Sequence, residues 1–300
     1  MDECSFFNIP IFVSDNCSTD DTEPVVLKFM SLYGSLYYAK NEHNIGIYLN
    51  ILNIMKNANT EYIWIIVDDD SVAKGSIEKI MNLLTNDYDF LILNSIPYNK
   101  TLRVPKRPKI IYCKTDKIYD GKTEKLFYDL RKSAYHAYIS SQIFKRELVS
   151  KLVPKYETTS FTLHGNAWFP MAIFYESMIG CKGKFVCDPI IFNRDNPRAT
   201  DKNFWNYMYV DYIRAIAYLQ TKGYDPKIIK KVVNTNFKEK LLIAIESKYN
   251  DPSLKITKNL GEGYPINIRT KLVFTLIDHG PKMLISIVHN IIVKLSQSSI

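Results

Sequence analysis

Three consecutive carboxylates, Asp68-Asp69-Asp70, close the apolar run Tyr62-Ile63-Trp64-Ile65-Ile66-Val67. Like charges at adjacent positions repel, so such a cluster needs a cation or open solvent around it. Carboxylate oxygens are hard ligands that suit Mg2+ or Mn2+. A divalent ion carrying a phosphorylated ligand is the chemistry this cluster offers, and a solvated acidic turn is the plain alternative. A second polar block, Ser14-Asp15-Asn16-Cys17-Ser18-Thr19-Asp20, follows the short apolar stretch that ends at Val13. A third block contains Asn44, Gly46 and Asn50, where the glycine permits a positive φ or close backbone approach.

These residues need elements to position them. Ile9 to Val13 reads as a strand, and Ser18, Thr19 and Asp20 are good helix-capping types before a helix from Glu23 to Tyr33. Ser35 to Tyr38 reads as the next strand, followed by an amphipathic stretch to Asn57. Tyr62 to Val67, rich in Ile and Val, reads as a fully buried strand. Strand, helix, strand, helix, strand with polar loops after each strand predicts an α/β fold with a doubly wound, mostly parallel sheet. In such sheets ligands gather at the carboxyl ends of the strands, where all three polar blocks lie.

Taken in order, Val13 to Asp20, Asn44-Ile45-Gly46 with Asn50, and Tyr62 to Asp70 resemble the glycosyltransferase family 2 proteins, which have the GT-A fold. The resemblance is good over residues 9 to 95 and loose to about residue 200, and the last third lies outside it. It implies a nucleotide-sugar donor, with Asp15 contacting the base. Asp68 and Asp70 would be the acids of an Asp-x-Asp motif, serving the ribose and the metal–diphosphate sides, with Asp69 between them. It also places Asn44, Gly46 and Arg194 against the donor, assigns the metal to Asp70 and Asp68, and implies Mn2+ or Mg2+ as cofactor. Family 2 members generally invert, so inversion is expected. The chemistry agrees: a cation offsets charge on the departing diphosphate, and a base removes the acceptor hydroxyl proton.

The sequence departs from the family in two places. Relatives open with a strand and helix before the block that begins here near Ile9, and that strand is central in the sheet. Residues 1 to 8 are too few for both, which predicts an N-terminally truncated sheet with unpaired backbone groups and exposed apolar edges. The usual Gly-Glu-Asp-like turn corresponds here to Leu163-His164-Gly165-Asn166-Ala167-Trp168. Asn166 and Ala167 cannot accept a proton, so His164 is the expected base, with a surface histidine as the alternative. Glu157 and Glu176 are further candidates. In relatives the segment around His136 approaches the acceptor, although a turn or core role serves that histidine equally. Arg194 after the strand Phe185 to Asn193 suits a diphosphate, or a salt bridge with Asp195.

Composition bounds the rest. The 300 residues are 46% hydrophobic, ample for a core, and hold 39 Lys and Arg against 31 Asp and Glu. Residues 201 to 300 carry 15 of those bases against 8 acids, so nearly the whole surplus sits there. We expect a catalytic GT-A-like domain over 1–200 and a basic helical region over 201–300, with helices near 203–222, 226–249, 268–278 and 281–295. Leu284, Val288, Ile291 and Leu295 form an apolar stripe beside Lys282 and Lys294, suited to an anionic membrane face or to packing on the catalytic domain. The basic stretch from Arg103 to Lys114 reads as a surface loop or acceptor-side lid. No run approaches the ~20 apolar residues of a membrane span, and the acidic amino terminus is no signal peptide. Five scattered cysteines suggest reduced thiols in a cytoplasm and no zinc site. No groove-reading motif accompanies the positive charge, so nucleic acid is not expected.

The expected function is sugar transfer from a nucleotide donor to a glycan or lipid-linked acceptor in bacterial surface polysaccharide synthesis, at the cytoplasmic side. Two alternatives stand beside it. One is an inactive truncated remnant of such an enzyme. The other is a phosphohydrolase with Asp68 as nucleophile, although those enzymes carry their acidic motif on the first strand.

Overall fold

The computed structural model describes residues 2–99, 101–131, 135, 137–158, 168–194, 210–235, 241, 244–245, 247–249, 251, 253–256 and 268–280. The chain divides into two compact units. One comprises residues 1–123, 137–165 and 169–195, and the other 124–136, 166–168 and 196–300.

The first unit is α/β. After a short helix α1 (Asp2–Phe6), β1 (Ile11–Asp15) pairs in parallel with β2 (Leu36–Lys40) across helix α2 (Thr22–Met30). Both strands begin later than the sequence predicts. Pro10 has no N–H, and the Ile9 carbonyl accepts from the Tyr33 hydroxyl, so neither serves a ladder. The first ladder bond therefore runs from Ile11 N to Ser35 O at 2.9 Å. Helix α3 (Ile47–Asn57) buries Ile51, Leu52 and Met55.

A second, mixed sheet has six strands: β3 (Tyr62–Trp64), β4 (Ser71–Val72), β5 (Phe90–Tyr98), β6 (Lys117–Asp120), β7 (Gln142–Lys145) and β8 (Lys182–Arg194). Their order is β3-β7-β5-β8-β4, with β6 also on β8. The β5–β8 pair is parallel, and the pairs of β3 and β5 with β7, and of β4 and β6 with β8, are antiparallel. The β1–β2 pair is a separate two-stranded sheet, and β3 is the terminal strand of the larger one. Helix α2 buries none of its residues and exposes Val25, Leu27 and Phe29.

The core lies on β5, β7 and β8, where Leu91, Leu93, Ile143, Val186, Ile190 and Ile191 pack together. Helix α4 (Ser76–Leu84) adds Ile80 to it, and the Glu3 carboxylate caps that helix by accepting from the N–H groups of Gly75 and Ile77. Phe144 stacks edge-on against Phe174 of a later helix (Phe169–Ser177) at 4.2 Å. Gly183 sits so close to Phe90 that a Cβ there would lie 2.2 Å from the ring, so this crossing requires glycine.

Two expectations need correction here. The expected six-residue strand is only three residues long: Ile65 to Val67 leave the ladder and Ile66 is exposed. Beyond Trp64 no strand among the described residues pairs with the chain, and the Ser140 hydroxyl takes the Val67 N–H instead. The five cysteines are not all thiols either, since Cys113 and Cys187 form a disulfide while Cys4, Cys17 and Cys181 are free. The pair meets at a bulge in β8, where the register with β5 shifts around Asn94. The fully buried Asn94 donates to Cys187 O (2.9 Å) and Ile111 O (2.8 Å) and accepts from Ile111 N (3.1 Å), drawing the preceding loop onto the bulge.

The second unit is helical where it is described. Tyr212–Gln220 is a helix that buries Ile213, Ala215, Ile216 and Leu219, and Pro226–Val233 is another that buries Ile229, Val232 and Val233. Asp225 caps the latter by accepting from Lys227 N at 2.7 Å. Ile268–His279 buries Thr270, Phe274, Ile277 and Asp278 on one side, yet Ile268, Leu272 and Leu276 on the other are 77%, 59% and 71% exposed. The predicted helix at 281–295 lies outside the described residues.

Candidate functional site

At the carboxyl end of β1, Asp15 is only 4% exposed. Its Oδ2 accepts from the Tyr38 hydroxyl at 2.6 Å and its Oδ1 from Ser18 N at 2.7 Å. Desolvation pushes this carboxyl up, but the Tyr38 and Ser18 hydrogen bonds, with the Lys40 charge, outweigh it and leave the group below the ordinary aspartate range. Burial and the bond to Asp15 push the Tyr38 phenol up, so it stays a donor.

Asparagines bind the next loop to this strand end. Asn16 Oδ1 accepts from Ile45 N (3.0 Å) and Asn41 Nδ2 (3.1 Å), and its Nδ2 donates to Asn44 Oδ1 at 2.8 Å. Asn44 Oδ1 also accepts from Gly46 N at 2.9 Å, and Gly46 enters α3 with φ +84°. From α3, Asn50 donates to Ser14 O (3.1 Å) and accepts from Ser14 Oγ (2.7 Å) and Asn41 Nδ2 (3.0 Å). Asp15, Asn44 and Gly46 thus belong to one hydrogen-bonded corner. Tyr38, Asn16 and Asn41, which sequence reasoning did not select, complete it. The asparagine spacing was the available signal, but it does not say which amide meets which loop.

The acidic cluster forms a tight turn in which Asp70 N donates to Val67 O at 3.2 Å, with Asp68 and Asp69 at its corner. Asp68 is exposed, and Asp69 and Asp70 are half-buried. Asp70 Oδ2 accepts from the Tyr138 hydroxyl at 2.5 Å, and Oδ1 accepts from Asn193 Nδ2 at 3.1 Å. Arg194 follows Asn193 at the end of β8. Its buried Nε finds no hydrogen-bond acceptor among the described residues.

Other candidates fall differently. Glu157 pairs with Lys56 at 2.8 Å. Glu176 pairs with Lys155 at 2.6 Å and accepts from Tyr156 at 2.7 Å, so both acids are engaged elsewhere. His164, His136, Asn166, Ala167 and Asp195 lie outside the described residues.

Carboxylate oxygens are hard donors of the kind Mg2+ and Mn2+ take. Asp68 and Asp70 offer carboxylate oxygens, and among the described residues no group of three or more His, Cys, Asp or Glu converges. A cation on this turn would complete its shell with water and phosphate oxygens, as Mg2+ commonly does.

The family model for glycosyl transferase family 2 matches residues 5–153. Abequosyltransferase RfbV of Salmonella typhimurium is 25% identical over 227 residues, which are 71% of this chain. The match spans 65% of that relative's length. The fold is similar to solved structures of residues 1–349 of S. aureus TarS. One has a TM-score of 0.55 at 14% identity, covering 90% of this chain and 72% of that one. A second, in complex with UDP-GlcNAc, has a TM-score of 0.54 at 13% identity, covering 89% and 78%. A third, in complex with UDP, has a TM-score of 0.53 at 14% identity, covering 81% and 72%. On its motif blocks, its mixed α/β architecture and these likenesses, the chain belongs to the family 2 glycosyltransferases and has their GT-A fold.

Proposed function

We propose that the chain transfers a sugar, with inversion, from a nucleotide-sugar donor to a glycan or lipid-linked acceptor in bacterial surface polysaccharide synthesis. The observation that carries this reading is the Val67–Asp70 turn, which presents Asp68 and Asp70 with no cationic partner for Asp70 among the described residues. Relatives with UDP or UDP-GlcNAc bound, and one named for abequosyl transfer, support the donor class.

In this reading residues 1–200 hold the donor. Asp15, kept ionised by Tyr38 and Ser18, accepts from the base. Asn44 and Gly46 shape the adjoining loop. Asp70 and Asp68 hold Mn2+ or Mg2+, which would supply positive charge to the departing diphosphate. Asp69 completes the turn, and Arg194 adds a fixed charge toward the same diphosphate. His164 takes the acceptor proton. The basic 201–300 region, through the stripe Ile268, Leu272 and Leu276, rests on the anionic inner face of the cytoplasmic membrane, where a lipid-linked acceptor would be met.

One observation favours a second reading, an inactive relative: β1 is an edge strand of a two-stranded sheet separate from the larger one. The experiment is a panel of nucleotide sugars incubated with the chain and Mn2+, scored for released nucleoside diphosphate. Release with one donor, lost in Asp70→Asn, is expected. No release with any donor, together with no donor binding, overturns transfer in favour of the inactive reading.

A further inference from the structure

Three separate segments converge on the Asp70 carboxylate. The first is its own turn. The second is the turn from Tyr138 to Ser141, whose tyrosine hydroxyl donates to Oδ2. That turn also braces the approach to the acidic residues: Trp64 Nε1 donates to Ser140 O at 2.8 Å, and Val67 N donates to the buried Ser140 Oγ at 3.1 Å. The third is the end of β8, where Phe192 pairs with Ser71 and the next residue, Asn193, donates to Oδ1.

The chemistry of these donors is informative. Both observed donors are neutral, so they fix the carboxylate plane and leave its full charge in place. A carboxylate has about four lone-pair positions, and two donors leave room for another ligand. Outer partners that orient a metal-binding carboxylate have this character.

We infer that Tyr138 and Asn193 are positioning residues that hold the Asp70 carboxylate in place for a divalent cation. The inference rests on the proposed reading of Asp70 as a cation ligand. It assigns the 138–141 turn to the donor side of the site.

The test is Mn2+ affinity by electron paramagnetic resonance, with UDP, CDP, GDP and dTDP each supplied in turn, for the parent, Tyr138→Phe, Asn193→Ala and Asp70→Asn. Metal-free unfolding midpoints are recorded alongside. Tyr138→Phe and Asn193→Ala should each weaken Mn2+ by about 10- to 100-fold, with metal-free midpoints near the parent's. Parent-like Mn2+ affinity in both, with binding lost in Asp70→Asn, overturns the positioning role and leaves the Asp70 reading standing. Parent-like affinity in Asp70→Asn, or no Mn2+ binding by the parent with any nucleotide, overturns the reading beneath it. Should Tyr138→Phe fail to fold, Asn193→Ala at the strand end decides alone.

Discussion

Asp15 is buried and yet charged because two donors meet it, and one of them, Tyr38, comes from the neighbouring strand. A folded-state pKa below the ordinary range means this carboxylate contributes stability above that range and loses it as pH falls through the depressed value. Removing the phenol in Tyr38→Phe should raise the Asp15 titration, as read by carboxyl-carbon NMR. It should also flatten the fall in thermal midpoint below roughly pH 4. An unchanged Asp15 titration in that variant would count against the pairing. The place of Asp15 at the end of β1 was legible because an acid directly after an apolar run marks the end of a strand. Tyr38 was not, because in the sequence it is one more aromatic in a strand. Only the register, Val13 opposite Tyr38, brings its hydroxyl to the acid. Tyr138 escaped notice similarly, being 68 residues from the aspartate it contacts.

The strands show where local pattern suffices and where it fails. β1, α2, β2 and α3 follow the sequence to within a few residues, since each is set by local apolar spacing and the polar turns between them. Tyr62 to Val67 reads as buried throughout because it is apolar, but burial needs neighbours, and Ser140 rather than a strand receives the Val67 N–H. The β8 bulge depends on Asn94 meeting Cys187 and Ile111, contacts that no local pattern announces. That arrangement predicts that a non-reducing digest of protein kept under oxidising conditions yields Cys113 and Cys187 in one linked peptide pair. Alkylation of both in unreduced protein would contradict it. With a sequence separation of 74, the cross-link is worth about 4 kcal/mol by loop closure. Core and periphery should also separate in chemical denaturation. Phe144→Ala, at a fully buried ring, should cost about 3–5 kcal/mol. Leu27→Glu, on the exposed α2, should stay within about 0.5 kcal/mol.

On the scale of the whole chain, the last third joins a basic surplus to an exposed apolar helix side. The Ile268, Leu272 and Leu276 stripe belongs to a region with 15 basic and 8 acidic residues. The chain should sediment with vesicles of anionic lipid and not with neutral ones, and Leu272→Glu with Leu276→Glu should abolish that. Concentration-dependent self-association removed by the same pair, without lipid binding, would assign the stripe to a second copy instead. The α/β class was readable from three short blocks because each carries residues that a core cannot use. The exposed side of the 268–279 helix was not, since apolar residues stand on both of its sides and the sequence does not say which side finds a partner.

The most direct measurement is an anomalous-scattering map from crystals grown with Mn2+ and a nucleoside diphosphate, for the parent and for Asp70→Asn. A manganese peak bonded to the Asp70 carboxylate and to the diphosphate in the parent, absent in the variant, is the predicted result. Nucleotide bound in the parent with no manganese at Asp70 would contradict the account.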